Sequence, residues 1–429
     1  MTLLNELQKA DKTGQMFKRT PTAISHPTGF LTLDYRNGFM LTAKNELEEV
    51  LKRQPIMGIV SGSFNMVIGK SAAAKTTLAI QIAFNIIQQY ASSFVIHCDI
   101  EAATNYQRIR SVTGAKNKDL NNRYILKQDG VYIEDIHKSI MTVAQAKRNS
   151  GDKYRTNTGI LDEFGEEIIQ YEPTVFIIDS IPSLALKNTE GETDMQSDTY
   201  ATRKAKKLAE FHRTLTPIMR ETNIIVIHIN HIQDKIEMNA FAKTQAQTMY
   251  LKMTESLPGG NSPIYYSTNI FKNVTKTKYK AEDDGFDGFL VNCELVKSRT
   301  NKAGQITPLI YDQAQGFDNY RTLLHFAEEM KLVSGRNPYR YFVKYPELKF
   351  SSKKFREEVV TNPKLRFALY DTIMPLLEQM LSVGREDEAL DDSAFIDEVL
   401  SRYSDEEIAG VGEGAAEKNR EILEAMLAS

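Results

Sequence analysis

Gly69-Lys-Ser-Ala-Ala-Ala-Lys75-Thr76-Thr77 joins an apolar run, Phe64–Ile68, to an amphipathic one, Lys75–Tyr90. A site for a phosphate chain needs glycine-like backbone freedom, N–H groups at a helix start, a lysine amine and a hydroxyl for a divalent ion. This segment offers each of them. Gly69 and Ser71 would open the loop, Lys75 would reach the β and γ phosphates, Thr76 would ligate Mg2+, and Thr77 would follow on the helix. Ala74 departs from the pattern, because the second glycine is expected there and alanine is disfavoured at unusual dihedrals. Taken alone, the segment could also be a strand–turn–helix that happens to carry a lysine.

Two further carboxylates sit where such a site would use them. Val175-Phe-Ile-Ile-Asp179-Ser180 is an apolar run ending in an acid, a second group able to organise Mg2+. A helix-capping role for Asp179 is the plainer alternative. Phe94-Val-Ile-His-Cys-Asp99-Ile-Glu101 puts a carboxylate just beyond another such run, where hydrolysis needs a base for the attacking water. An exposed loop glutamate is again the plainer reading.

The elements that must hold these groups follow from hydrophobic patterning. Phe64–Ile68, Phe94–Asp99, Thr174–Asp179 and Asn223–Ile229 are short, nearly continuous apolar runs, as strands buried on both faces should be. Helical patterns lie between them, clearest at Lys75–Tyr90 and Thr199–Glu221. The alternation predicts an α/β fold with a mainly parallel central sheet. Tyr265–Lys272, Phe289–Lys297 and Thr307–Tyr311 read as closing strands, partly antiparallel. Residues 148–172 are polar and glycine-dotted, as a surface insertion would be, and residues 2–16 read as a short helix. No internal repeat stands out.

Hydrophobic residues make up 41% of the 429, enough for a substantial core. No apolar run approaches ~18 residues, which argues against a membrane span. Neither a signal-peptide pattern nor a cysteine framework is visible: Cys98 and Cys293 lie in apolar runs and read as buried thiols of a cytoplasmic protein. Residues 385–429 hold 14 acidic and 4 basic residues, a net −10, which leaves +7 for residues 1–384 within a whole-chain charge of −3. A mildly basic body with an acidic tail suits a nucleic-acid binder, though such tails also serve solubility. Residues 331–370 mix 10 basic and 3 acidic residues with Tyr339, Tyr341, Phe342, Tyr345, Phe350 and Phe355. This mixture reads equally as a duplex-capturing surface or as the core of a small domain.

With these motifs in place, the stretch from about His26 to Val333 resembles the RecA-type recombinases, those of the T-even phages most of all. Thr28-Gly-Phe-Leu-Thr-Leu-Asp34 resembles the segment leading into their ATPase core, and Asp179-Ser-Ile-Pro-Ser-Leu the exit of their acidic strand. The resemblance implies a RecA-like P-loop ATPase core, an N-terminal helical arm and a small C-terminal α-rich domain. The corresponding spans are 1–28 (oligomerisation arm), 29–324 (core), 325–384 (small domain) and 385–429 (acidic tail). It makes Glu101 the general base and Tyr106 the aromatic that stacks on adenine, two residues nearer the glutamate than is usual. Ile227-His-Ile-Asn230-His231 resembles the strand that senses the γ-phosphate, with His231 where bacterial members carry glutamine.

The same resemblance places single-stranded DNA on two loops, Asn188–Thr199 and Ile232–Gly260. The second ends in Gly259-Gly260-Asn261, where family members present backbone N–H groups to phosphates, and is longer here than in bacterial members. Lys206 and Arg213, seven apart on one helix face, fall where the family contacts DNA; a solvated basic face is the alternative. Lys297 and Arg299 alternate at a strand end and so share one side; by the resemblance they would reach a neighbouring subunit's ATP, and an exposed cation pair is the plainer alternative. The expectation is an ATP- and Mg2+-dependent recombinase forming helical homo-filaments on single-stranded DNA and pairing it with homologous duplex. Single-strand-binding and loader proteins would be its partners. A hexameric RecA-fold helicase and a non-catalytic ATP-binding mediator are the rival expectations.

Overall fold

The computed structural model describes residues 7, 22–187, 198–234, 246–248, 250–278, 288–336 and 338–381. The expected N-terminal helix, apart from Leu7, the first loop through residue 197, the middle of the second loop and the acidic tail lie outside them.

The chain enters through α1 (Leu31–Arg36), whose Asp34 accepts hydrogen bonds from Thr28 N–H and Oγ at 2.9 and 2.7 Å. A hairpin, β1 (Phe39–Lys44) and β2 (Val50–Ile56), follows. Next come β3 (Phe64–Gly69), α2 (Lys75–Gln88), β4 (Phe94–Asp99), α3 (Tyr106–Thr113), β5 (Tyr124–Lys127) and α4 (Ile133–Asn149). The expected insertion is a second hairpin, β6 (Arg155–Leu161) and β7 (Glu167–Tyr171), tied to the first where Gln54 and Lys52 donate to the Leu161 and Gly159 carbonyls. After it run β8 (Thr174–Asp179), α5 (Asp198–Thr222) and β9 (Ile224–His231). The second half adds α6 (Ser262–Tyr266), β10 (Ser267–Lys278), β11 (Gly288–Ser298), β12 (Ile306–Asp312) and β13 (Gly316–Phe317).

These strands build one nine-stranded sheet in the order β13-β12-β11-β10-β3-β9-β8-β4-β5. From β10 to β5 every neighbouring pair is parallel, and β11 to β13 close one flank antiparallel. Alternating residues of the central strands feed two separate cores. Val175, Ile177, Ile225 and Ile227 pack with Leu78, Ile82 and Ile86 of α2. Phe176, Ile178, Ile224 and Val226 pack with Ile136 and Ile140 of α4 and Leu208, Leu215 and Met219 of α5. Burial on both faces is why these strands are apolar throughout. Cys98 and Cys293 are buried free thiols. No described helix is long and apolar enough to cross a membrane.

Two expected elements differ. Tyr265 and Tyr266 belong to α6 rather than to a strand, because Pro263 at its first turn presets helical φ. The C-terminal lobe has the expected helices and adds a three-stranded antiparallel sheet to them. It begins with α7 (Asn319–Glu329), which runs through the expected boundary at 324/325, and continues with β14 (Val333–Arg336), β15 (Tyr339–Phe342) and β16 (Tyr345–Ser351). The helices α8 (Phe355–Thr361) and α9 (Pro363–Glu378) complete it. Phe342, Phe350 and Phe355 are fully buried among Leu323, Leu365 and Leu369. Those three aromatics are therefore core, while Tyr339 stays exposed.

Candidate active site

The site forms where β3, β9, β8 and β4 end together. His231 pairs with Gly69 across β9 and β3, and Asp179 pairs with Asp99 across β8 and β4. Parallel strands in this register bring four chain segments to one sheet edge, the usual place for ligands in open α/β sheets.

Gly69 leads into the turn, and any Cβ there would lie 2.8 Å from the Asn273 carbonyl oxygen. Asn273 of β10 also donates to the Ala73 carbonyl at 3.0 Å, fixing the turn from the side. Ala72 and Ala74 both take positive φ, 59° and 54°. The left-handed geometry expected of a glycine at 74 is thus present with alanine adopting it. Lys75 is buried at the first position of α2, and its Nζ donates to the Lys70 carbonyl at 2.8 Å. Burial pulls its ammonium below the usual lysine range, against the pull of Asp179 and Glu101. Thr76 donates its hydroxyl to Asp179 Oδ2 at 2.6 Å. Thr77 is buried on the next position, its Oγ1 reached by Arg108 at 3.3 Å. Ser71 is exposed on the turn.

Asp179 is buried beside Asp99, and burial raises its carboxyl to about 6 despite the Thr76 hydrogen bond. One ligand atom each of His97, Asp99 and Asp179 lies within 4.8 Å of the others. Asp99 accepts from Thr104 N–H and from Gln128, both at 2.9 Å. These bonds pin the loop that carries Glu101, a positioning role that its place before the glutamate did not reveal. Glu101 Oε1 accepts from Ser180 at 2.5 Å and from Ser183 at 3.1 Å, and lies 3.3 Å from His231 Nε2. Burial pushes the Glu101 carboxyl up, but the two serines and the imidazole together hold it below the usual range. Its Oε2 receives none of these bonds. The two serines lie in the Asp179-Ser-Ile-Pro-Ser run but were not singled out.

Tyr106 opens α3, 44% exposed, and lines a cleft of about 550 Å³ with Arg110, Asn117, Lys118 and Asn121. Its hydroxyl accepts from Leu126 N–H at 3.2 Å. Asn105 caps the helix by accepting from Arg108 N–H.

On the opposite core, Lys206 and Arg213 are exposed on α5. Gly259 and Gly260 have φ of 97° and 74°, and a Cβ on Gly259 would meet Ile181 at 2.7 Å. Only glycine permits this approach to the exit of β8. Asn230, beside His231, donates to the Pro258 carbonyl at 2.9 Å. The Gly259-Gly260-Asn261 segment is therefore bonded to the strand that carries His231. Lys297 does not reach this site within the chain: its Nζ donates to the Ile264 and Tyr265 carbonyls at 2.5 and 2.9 Å. Arg299 donates to the same Tyr265 carbonyl at 2.5 Å and stacks over its ring. Burial, then Arg299, lowers the Lys297 ammonium to about 8.

The arrangement offers a turn with a buried lysine, a hydroxyl–carboxylate pair and a hydrogen-bonded carboxylate on one edge. Known protein-family models and curated proteins were compared with the chain, and none matches it.

Proposed function

We propose that this chain is a RecA-type DNA recombinase: an ATP-dependent P-loop protein that coats single-stranded DNA as a filament and exchanges strands with homologous duplex. The observation that carries the reading is the convergence of Lys75, Thr76, Asp179, Glu101 and His231 on one edge, with Gly259 packed against Ile181 two residues beyond Asp179. Phosphate chemistry and the glycine segment assigned to DNA thus share a wall.

Thr76 and Asp179 would hold Mg2+. The fit rests on two buried, adjacent carboxylates, Asp99 and Asp179, hard oxygen donors of the kind Mg2+ takes, with Lys75 the cation that acts on Asp179 among the described residues. Bound there, the ion supplies positive charge to the phosphate oxygens.

Lys75, released from the Lys70 carbonyl, holds the outer phosphates. Glu101 is ionised at neutral pH, and Oε2 accepts the proton of a water attacking the γ-phosphorus as the bond to the leaving oxygen breaks. His231 contacts Glu101 and reports the state of the γ-phosphate along β9. The adenine stacks against Tyr106. Lys206, Arg213 and the Gly259-Gly260-Asn261 N–H groups meet DNA phosphates, which leaves bases free to test homology. Lys297 and Arg299 serve the neighbouring subunit's nucleotide once freed from Tyr265.

ATP turnover measured with and without unstructured single-stranded DNA tests this. Stimulation by DNA, reduced at least about 10²-fold in Glu101→Gln with ATP binding retained, is the expected result. Strand exchange between homologous DNAs separates a recombinase from a helicase, which would instead unwind a forked duplex directionally. Tight DNA binding with no turnover overturns the enzymatic reading in favour of a non-catalytic mediator.

A further inference from the structure

His212 and His228 lie outside every group used so far, yet they touch. The two imidazoles meet Nε2 to Nε2 at 3.0 Å, one on α5 and one on β9, both fully buried. His228 stacks on Phe64 with ring planes 4° apart, and His212 on Tyr266 with planes 11° apart. Burial holds both imidazoles far below the usual histidine range, His212 at about 4, so both are neutral.

Neutrality fixes the direction of the hydrogen bonds. His212 Nδ1 lies 2.6 Å from the Leu208 carbonyl, which can only accept, so Nδ1 carries the proton. Ser262 Oγ, 2.9 Å away, shares that proton. His212 Nε2 is then an acceptor, and His228 Nε2 must donate to it. His228 Nδ1, left bare, has no hydrogen-bond partner among the described residues. An apolar pair would fill this space without such an orphan, and the orphan costs stability. A plain packing role therefore does not account for the pair.

Its termini are informative. Ser262 follows Asn261 directly, and Arg213 follows His212. His228 precedes His231 by three residues and shares a strand face with Asn230, which bonds Pro258. The chain Ser262–His212–His228 thus joins the glycine segment, the basic helix and the strand leading to His231.

We infer that His212 and His228 form a positioning relay through which single-stranded DNA on the Gly259-Gly260-Asn261 segment and α5 adjusts β9 and so His231 at the phosphate site. This rests on the recombinase reading and adds the route by which DNA would govern turnover. Neither histidine touches nucleotide or DNA; both act through the elements they connect. Where DNA tightens ATP binding through this pair, ATP tightens DNA binding by the same factor.

The test measures ATP turnover of the full chain with and without an oligothymidine, and oligothymidine affinity with and without ATP. His228→Phe removes the donor while keeping an apolar ring beside Phe64. His228→Gln keeps an N–H donor near the same place. Expected is a loss of about tenfold in DNA stimulation for His228→Phe, a size that a change at a coupling residue can have. Turnover without DNA and the melting temperature should stay near those of the unmodified chain, and His228→Gln should restore most of the stimulation. His212→Leu with His228→Phe should lose no more than His228→Phe alone, since the two act as one unit. Full stimulation in His228→Phe, or equal loss in His228→Gln, overturns the relay alone. No stimulation in the unmodified chain overturns the recombinase reading, and the relay with it.

Discussion

His231 and Glu101 meet at 3.3 Å although β8 lies between the strands that carry them. The contact is possible because Glu101 stands two residues beyond β4, on a loop pinned by Asp99, and turns across the end of β8. There Ser180 and Ser183 donate to the same oxygen. The Glu101 carboxyl is thereby held below its usual range by three neighbours from two other segments.

That geometry makes a pH prediction. Burial alone would raise the Glu101 carboxyl; Ser180, Ser183 and His231 outweigh it. Removing one of them lets burial raise the carboxyl from its lowered position, so activity should fail sooner on acidification. The acidic limb of the kcat/KM profile is expected to move to higher pH in His231→Ala, and further in Ser180→Ala. An unmoved limb in both would show that Glu101 does not set it.

Ala74 tolerates φ 54° because alanine has the smallest side chain that can still do so. The left-handed region costs an ordinary L-residue roughly 1–2 kcal/mol, while glycine adds roughly 0.5–1 kcal/mol of backbone entropy. Ala74→Gly should therefore bind nucleotide within a few-fold of the unmodified chain. Ala74→Val should lose binding, because a β-branched residue is an outlier there. Calorimetric titration with ATP decides it.

Lys272 of β10 and Glu255 form a buried ion pair at 2.8 Å, with Glu294 at 3.8 Å from the same amine. Lys272 is the Cα partner of Ile68 on β3, and Glu255 stands four residues before Gly259. The pair thus anchors the glycine segment beside the phosphate turn. Lys272→Met leaves the buried Glu255 carboxylate without its cation and should cost about 3–5 kcal/mol in urea unfolding. Adding Glu255→Leu should recover a good part of that. Equal instability in the double variant would mean that shape, not charge, holds this corner.

Lys206 and Arg213, exposed on α5, should contribute phosphate contacts. Lys206→Ala with Arg213→Ala should weaken single-stranded DNA binding alike for all sequences. The slope of log affinity against log salt should fall by roughly 0.7 per lost contact. An unchanged slope would reduce them to a solvated face.

The turn after β3 and the four central strands were legible because burial on both faces forces continuous apolar runs, and each ends in a residue of distinct chemistry. What stayed hidden depends on partners distant in sequence. The alternation of Lys297 and Arg299 indicated a shared side but not that Tyr265 occupies both cations. His212 and His228 each look like an ordinary helix or strand residue until the fold joins them. The C-terminal sheet was masked because its aromatic residues alternate with lysines and arginines that satisfy either a core or a surface pattern. Asp99 read only as a strand-end residue, since the backbone N–H groups it holds carry no sequence signature.

The level ending of β3, β9, β8 and β4 has a consequence for how this chain can vary. Successive residues of a strand point to opposite faces, so inserting or deleting one residue within β8 would send the Asp179 carboxylate into the core around Phe176. The four strands are in this sense a ruler with no spare marks. Changes of length can be absorbed only where the chain has left the sheet, at segments such as the 155–171 hairpin. A related chain that differs in size should therefore differ there, and should keep the counts from Gly69 to Lys75, from Asp99 to Glu101 and from Asp179 to Ser183.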